Sequence, residues 1–391
     1  MSCTVFLFAT LRSAYGVAML EPQLSHRPIE SPDQSPIFVI GTGRSGTTLL
    51  RQMLNAHPRI YISHEAGFYS YLRHAPKGIS AHDWLERYFQ TYSYAFLHLD
   101  PQQVRDLLPT GLTLDRAAEI FQVIMRAKAA QQGKVRYGEK NPLDTQNLPR
   151  IFADFPDARV VCIMRDPRPT VESFNRMPFG TTSVLLNSYL CRVQFAHIEP
   201  YLDRILEVRL EDLSADPRRT MQSILHFIGE PWDDAVLEHV QRSQVDDVPA
   251  LPWFVKAKSL RPNQRDSGSE GSEPLTPAWL RLIEKINRVL MIRYGYESKW
   301  LEQEPTLWEY LRALLGDVAG IAEATYRLLA MKRLIDRHFQ GKELLDPQRG
   351  MEENLQLNPA AWRYYPSFEM PQVPRLPVRE ESPLSLRLPP A

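Results

Sequence analysis

The stretch from Pro36 to Ala56 constrains this chain more than any other. Ile37-Phe38-Val39-Ile40 is a short unbroken apolar run, the pattern of a strand buried on both faces. Gly41-Thr42-Gly43-Arg44-Ser45-Gly46 follows as a tight loop. Thr47 to Ala56 then reads as a helix with Leu49, Leu50, Met53 and Leu54 on one stripe. Amides at a helix start point outward without partners, and the helix dipole favours an anion there. Glycines such as Gly46 let the backbone wrap an oxyanion, Ser45, Thr47 and Thr48 add hydroxyls, and Arg44 adds a cation. The loop reads as a phosphate cradle. The spacing of Gly41 and Gly46 matches the loop of P-loop kinases and NTPases, but Thr47 stands where those carry the lysine that reaches the outer phosphates. This argues against ATP or GTP hydrolysis and for a loop built around one 5′-phosphate.

The chain continues as alternating strands and helices. Val135-Arg136-Tyr137 predicts a short strand, 159–164 a second strongly buried one and 205–210 a third. Helices are expected at 148–155, 168–177 and 183–197. Another runs from the Asp216-Pro217 start to Gly229, with Met221, Ile224, Leu225 and Ile228 on its buried face. The pattern implies an α/β fold: a P-loop-type parallel β-sheet flanked by helices on both faces. Residues 66–132 are rich in aromatics and predict a helical insertion beside the sheet, its rings mostly core packing. The expected organisation is an N-terminal segment and linker at 1–35, the α/β domain at 36–300, a helical C-terminal extension at 301–345 and a proline-rich, partly disordered tail at 346–391. Leu307, Leu311, Leu314, Leu315, Val318 and Ile321 form an apolar stripe on the extension. Packing on the same domain, a homodimer contact and contact with a membrane surface all fit that stripe.

Composition narrows the function. Lys+Arg and Asp+Glu are both 46, so the formal net charge is zero and a generally basic nucleic-acid binder is excluded. Three cysteines among 391 residues make neither a disulfide framework nor a zinc cluster, and point to a reducing, cytoplasmic setting with membrane association as the alternative. No run of 18 apolar residues is present, and Arg12 interrupts the apolar start, which reads as an accessory segment rather than a leader.

A second anion site is visible downstream. Arg165 follows the strand ending at Met164, and Ser173 lies eight residues later on the next helix. Ligands of open α/β sheets bind at the carboxyl ends of the strands, so Arg165 and Ser173 could clamp another phosphate near the first loop.

Taken together, three blocks resemble the sulfotransferase superfamily, which uses 3′-phosphoadenosine 5′-phosphosulfate (PAPS), and within it the tyrosylprotein sulfotransferase branch. They are Ile37 to Arg51 continuing through Leu54-Asn55-Ala56-His57-Pro58, then Glu139-Lys140-Asn141-Pro142, then Phe155 to Arg159 with Met164-Arg165-Asp166-Pro167-Arg168 and Ser173. Weaker likeness extends the resemblance over roughly residues 36–298. It implies sulfuryl transfer from PAPS as co-substrate to a hydroxyl-bearing acceptor, with no metal and no nucleic acid. Arg44, Ser45, Gly46, Thr47 and Thr48 would bind the 5′-phosphosulfate, and Arg165 with Ser173 the 3′-phosphate. Glu65 would be the base, and Lys140 would contact the leaving group. The insertion would lie on the acceptor side. The chemistry suits these residues: a carboxylate can take the hydroxyl proton, and fixed cations stabilise charge on the departing oxygen.

The chain departs from the branch in places. His64-Glu65 stands for two successive glutamates, and cytosolic relatives use histidine, so His64 rivals Glu65 as base. Gly67 replaces an acceptor-site arginine, and the adenine-stacking tyrosine is replaced near Leu210. After Pro231-Trp232, Ser259 with Lys256, Lys258 and Arg261 would close over the donor. A peptide tyrosine, a carbohydrate or a small alcohol or phenol are all open as acceptor. A P-loop phosphotransferase and a catalytically inactive nucleotide binder are the alternatives.

Overall fold

The computed structural model describes residues 34–242, 251, 275–297, 306–356, 358–365 and 370–374. Five strands form one sheet: β1 (Ile37–Gly41), β2 (Ile60–His64), β3 (Arg136–Lys140), β4 (Arg159–Met164) and β5 (Ile205–Arg209). Their order is β2-β3-β1-β4-β5 and every pairing is parallel. The expected α/β architecture with helices on both faces is the one observed. The main helices are α1 (Thr47–Ala56), α2 (Ala81–Phe89), α3 (Ala117–Gln131), α4 (Leu148–Asp154), α5 (Pro167–Asn175), α6 (Val184–Ile198), α7 (Pro217–Phe227), α8 (Pro277–Ile286), α9 (Leu307–Phe339) and α10 (Pro347–Leu355).

Strand alternation sorts the core into two layers. Phe38 and Ile40 of β1, with Val160, Cys162 and Met164 of β4, face α3, α4 and α6. Ile37 and Val39, with Val161 and Ile163, face α1 and α7. Each fully buried side chain of this size contributes roughly 1.5–3 kcal/mol, so both layers are needed to hold the sheet. The aromatics of 66–132 are core, as expected: Trp84 stacks on Tyr88 at 5.2 Å, Phe68 meets both edge-on, and Phe121 of α3 stacks on Phe38 of β1 at 5.3 Å. The last helix of the insertion is therefore also the crossover that covers the sheet between β2 and β3.

The structure differs from the sequence reading at two strands and adds detail at the tail and the C-terminal stripe. Strand β2 was not expected; its Ile-Tyr-Ile run is short and follows Pro58 closely. It is held by α1, where Arg51 Nε and Asn55 Nδ2 both donate to the Ile62 carbonyl. Strand β3 does not stop before Gly138 but runs on to Lys140, because Gly138 passes so close to β1 that a Cβ there would lie 1.9 Å from the Ile37 carbonyl oxygen. The proline-rich tail is folded over part of its length: Asp346 caps α10, Pro347 opens it, and Met351 and Leu355 pack with Phe96 and Met177. The apolar stripe of α9 does not pack on the domain; Leu307 is 75% and Leu315 72% exposed. Lys256, Lys258, Ser259 and Arg261 lie outside the described residues.

Candidate active site

The phosphate loop leaves β1 between its neighbours β3 and β4, so it opens at the carboxyl edge of the sheet's centre. Gly46 caps α1 with φ 99°, and no side chain caps the helix. The first turn of α1 carries no acidic residue, so its free amides meet no competing negative charge. A Cβ on Gly46 would also lie 2.7 Å from Leu210 Cδ1, so this turn has room for glycine alone. Arg44 has φ 66°, a left-handed conformation that costs energy for a side chain of this size. The Ser45 hydroxyl donates to the Ile163 carbonyl at 2.7 Å and ties the loop to β4. Thr47 is buried at the helix start, and Thr48 is half-buried beside it.

The two sets of residues expected to bind anions meet. Arg44 Nε donates to Ser173 Oγ at 2.9 Å, and Arg165 Nη1 donates to the Arg44 carbonyl at 3.3 Å. Arg165 follows β4, and Ser173 lies on α5, whose start is capped by Asp166. Arg168 holds α5 in place by pairing with both Asp166 and Glu284 of α8. Arg44, Arg165 and Ser173, more than 120 residues apart in sequence at the extremes, are thus one cluster.

The third component lies one strand over. Lys140 ends β3, and its Nζ donates to Glu65 Oε1 at 2.5 Å. The lysine side chain is fully buried, whereas that of Glu65 is 42% exposed. Glu65 sits just past β2, with its amide donating to the Lys140 carbonyl at 2.8 Å and φ 43°. His64 is its immediate neighbour, paired in register with Lys140 but 5% exposed. Gly67, where the resembled branch carries an arginine, offers only its amide, and Glu139 Oε1 accepts it at 2.6 Å.

Sequence reasoning did not single out Glu139 or Asp144, yet both are fully buried beneath this pair. Burial and the neighbouring Asp144 push the Glu139 carboxyl well above the usual carboxylate range. Burial lifts Asp144 to about 7 against the opposing hydrogen bond from Asn147. Glu139 Oε2 and Asp144 Oδ2 have no hydrogen-bond partner among the described residues. The signal in the sequence was slight: acids beside Lys140 and Asn141-Pro142 read as part of a loop.

A raised carboxyl favours the fold while protonated, so its contribution is complete below about pH 4 and is lost as pH rises through about 7. Asp144→Asn keeps an acceptor for Asn141 and Asn147 but cannot ionise. Its stability is expected to fall less than that of the wild type between pH 4 and 7, by up to about 4 kcal/mol for a carboxyl raised by about three pH units. Denaturant unfolding at several pH values checks this; parallel profiles for the two proteins would count against it.

Among the described residues no group of three or more His, Cys, Asp or Glu could hold a metal ion, and no helix is long and apolar enough to cross a membrane.

A profile of the Sulfotransferase family matches residues 36–234, which hold the loop, Arg165, Ser173, Glu65 and Lys140. Protein-tyrosine sulfotransferase 1 of Danio rerio is 27% identical over 242 residues, 60% of this chain and 62% of that protein. Protein-tyrosine sulfotransferase of Drosophila melanogaster is 30% identical over 216 residues, 52% of this chain and 40% of that protein. The match therefore spans only about two fifths to three fifths of these relatives' length. The solved sulfotransferase domain from the Synechococcus PCC 7002 olefin synthase is 23% identical, covering 70% of this chain and 98% of that one with a TM-score of 0.49. With the family profile matching just over half of its length, on the stretch that carries every described element of the site, the chain belongs to the sulfotransferase family.

Proposed function

We propose that the chain transfers a sulfuryl group from PAPS to a hydroxyl acceptor, with Glu65 as base. The observation that carries this reading is the convergence of two anion-binding groups and an acid–lysine pair at one edge of the sheet: Arg44 with Arg165 and Ser173, and Lys140 with Glu65. The loop amides and Arg44 would hold the 5′-phosphosulfate, and Arg165 with Ser173 the 3′-phosphate. A nucleotide with phosphate at both ends of its ribose suits such a pair of sites; a triphosphate does not.

The acceptor oxygen attacks sulfur, and its proton passes to the Glu65 carboxylate. The bond from sulfur to the bridging oxygen breaks, and the electron pair leaves on the 5′-phosphate of the product nucleotide. Lys140 and Arg44 would stabilise the charge that gathers there. Glu65 is favoured over His64 because its side chain is partly open while His64 is enclosed. The acceptor class stays at the level of a hydroxyl. The similar proteins act, by their names, on protein tyrosine, but Gly67 offers an acidic peptide no cation.

The test is calorimetric titration with 3′-phosphoadenosine 5′-phosphate, adenosine 5′-phosphate and magnesium ATP, followed by labelled transfer from PAPS to tyrosyl, sugar and phenolic acceptors. The 3′-phosphorylated product is expected to bind most tightly and at least one hydroxyl to become labelled. Preference for ATP would overturn the assignment.

A further inference from the structure

Glu65 stands on strained backbone. Its φ of 43° is left-handed, a conformation that a residue with a side chain keeps only where its surroundings fix it from several sides. The Glu65 amide carries the β2–β3 ladder one step further by donating to the Lys140 carbonyl at 2.8 Å. Two residues on, Gly67 turns with φ 68° into the short helix Phe68–Leu72, and its carbonyl accepts from the Tyr71 amide at 2.8 Å. Between these two fixed points lies the peptide group joining Ala66 to Gly67, and side chains hold both of its ends.

The Tyr88 hydroxyl of α2 donates to the Ala66 carbonyl at 2.9 Å. On the other side, Glu139 Oε1 of β3 accepts from the Gly67 amide at 2.6 Å. Ala66, Tyr88 and Glu139 are all buried, so removing either partner leaves a peptide group unpaired inside the protein. Both holders are themselves rigid. The Tyr88 ring lies flat on Trp84, with the two planes 8° apart, and Phe68 meets it edge-on. Glu139 lies within β3, in register with Ser63 of β2 and Phe38 of β1. The turn is closed from a third side by Tyr71, whose ring packs on Phe339 at the end of α9.

We propose that Tyr88 and Glu139 are positioning residues for sulfuryl transfer: they clamp the Ala66–Gly67 peptide group and so aim the Glu65 carboxylate at the acceptor. The inference rests on the reading of Glu65 as base and adds the device that holds it. Glu65 needs such a device because its side chain is 42% exposed and would swing into water on a loose turn. A misplacement of about 1 Å can cost a hundredfold in rate. The clamp uses Glu139 as an acceptor and not as a charge, since burial keeps its carboxyl protonated far above the usual carboxylate range. Glutamine can fill that role and leucine cannot.

Transfer from labelled PAPS to the tyrosyl, sugar and phenolic acceptors tests this, with affinity for 3′-phosphoadenosine 5′-phosphate measured beside it. Glu139→Leu is expected to lower kcat roughly tenfold to a hundredfold while KM for PAPS and nucleotide affinity stay within about twofold. Glu139→Gln should recover most of the rate. In a Glu65→Gln background, Glu139→Leu should slow transfer no further, because a residue that acts through the base has nothing left to aim. By deuterium exchange, the Gly67 amide should open at least about tenfold faster in Glu139→Leu and not in Glu139→Gln. Tyr88→Phe keeps the stacked ring and removes only the donor; it should repeat the kinetic pattern, and it carries the test if circular dichroism finds Glu139→Leu unfolded. Equal slowing by Glu139→Leu in both backgrounds overturns the proposal and leaves Glu65 as base. So does a Glu139→Gln protein no faster than Glu139→Leu, or nucleotide affinity that falls together with kcat. A Glu65→Gln protein as fast as the wild type, or a wild type that labels none of the acceptors, overturns the reading of the base and this inference with it.

Discussion

Glu65→Gln is expected to transfer sulfuryl at least a hundredfold more slowly than wild type while binding 3′-phosphoadenosine 5′-phosphate with unchanged affinity. The amide oxygen can still accept from Lys140 Nζ, as the carboxylate does at 2.5 Å, so the geometry of the pair survives. What is lost is the capacity to take a proton, and a positioned base is worth roughly a hundredfold to ten-thousandfold. Unchanged nucleotide affinity separates this from damage to the loop. His64→Asn supplies the comparison. It should slow transfer far less, since His64 is enclosed at the end of β2. If His64→Asn abolishes transfer and Glu65→Gln does not, the roles assigned here are reversed.

The second large effect is on donor selectivity. In Arg165→Ala, affinity for 3′-phosphoadenosine 5′-phosphate should drop roughly tenfold to a hundredfold, while affinity for adenosine 5′-phosphate should change little. A hydrogen bond to a charged group is worth about 1.5–3 kcal/mol, and each 1.4 kcal/mol is a factor of ten. Arg165 also donates to the Arg44 carbonyl, so a displaced phosphate loop is the competing explanation. Adenosine 5′-phosphate is the control for it. If both nucleotides weaken equally, Arg165 supports the loop and does not read the 3′-phosphate.

The parts of this site that were legible in the sequence are those where a local rule leaves few choices. The run Ile37 to Ile40 followed by Gly41 and Gly46 can hardly be anything but a buried strand, a phosphate-sized turn and a helix start. Arg165 was legible for a related reason: it follows a strand too apolar to lie anywhere but in the middle of the sheet. Strand β2 was not legible, because Ile60 to His64 depends on capture by Arg51 and Asn55 rather than on its own pattern. Missing β2 hid the register that aligns His64 with Lys140, and with it the reason Glu65 and Lys140 meet. Glu139 was hidden by its neighbours in sequence, since nothing there says that a charged tetrapeptide begins inside a buried strand. The stripe of α9 was seen correctly as apolar, but periodicity reports that a face is apolar and not what lies against it.

The far end of α9 bears on how this protein can be divided. Phe339 fills a recess between Tyr71 and Trp84, and His338 Nε2 lies 2.8 Å from the Arg87 carbonyl of α2. Tyr71 is six residues from Glu65. Further on, Asn358 donates to the carbonyls of Asn175, the last residue of the helix that bears Ser173, and of Pro178 just beyond it. A shortened descendant ending near residue 300 would therefore expose to water aromatic rings that are now buried in the core. Selection for a smaller enzyme would have to refill those recesses one by one. The family profile ends at residue 234, whereas the packing of Phe339 and Asn358 carries the folding unit well beyond it.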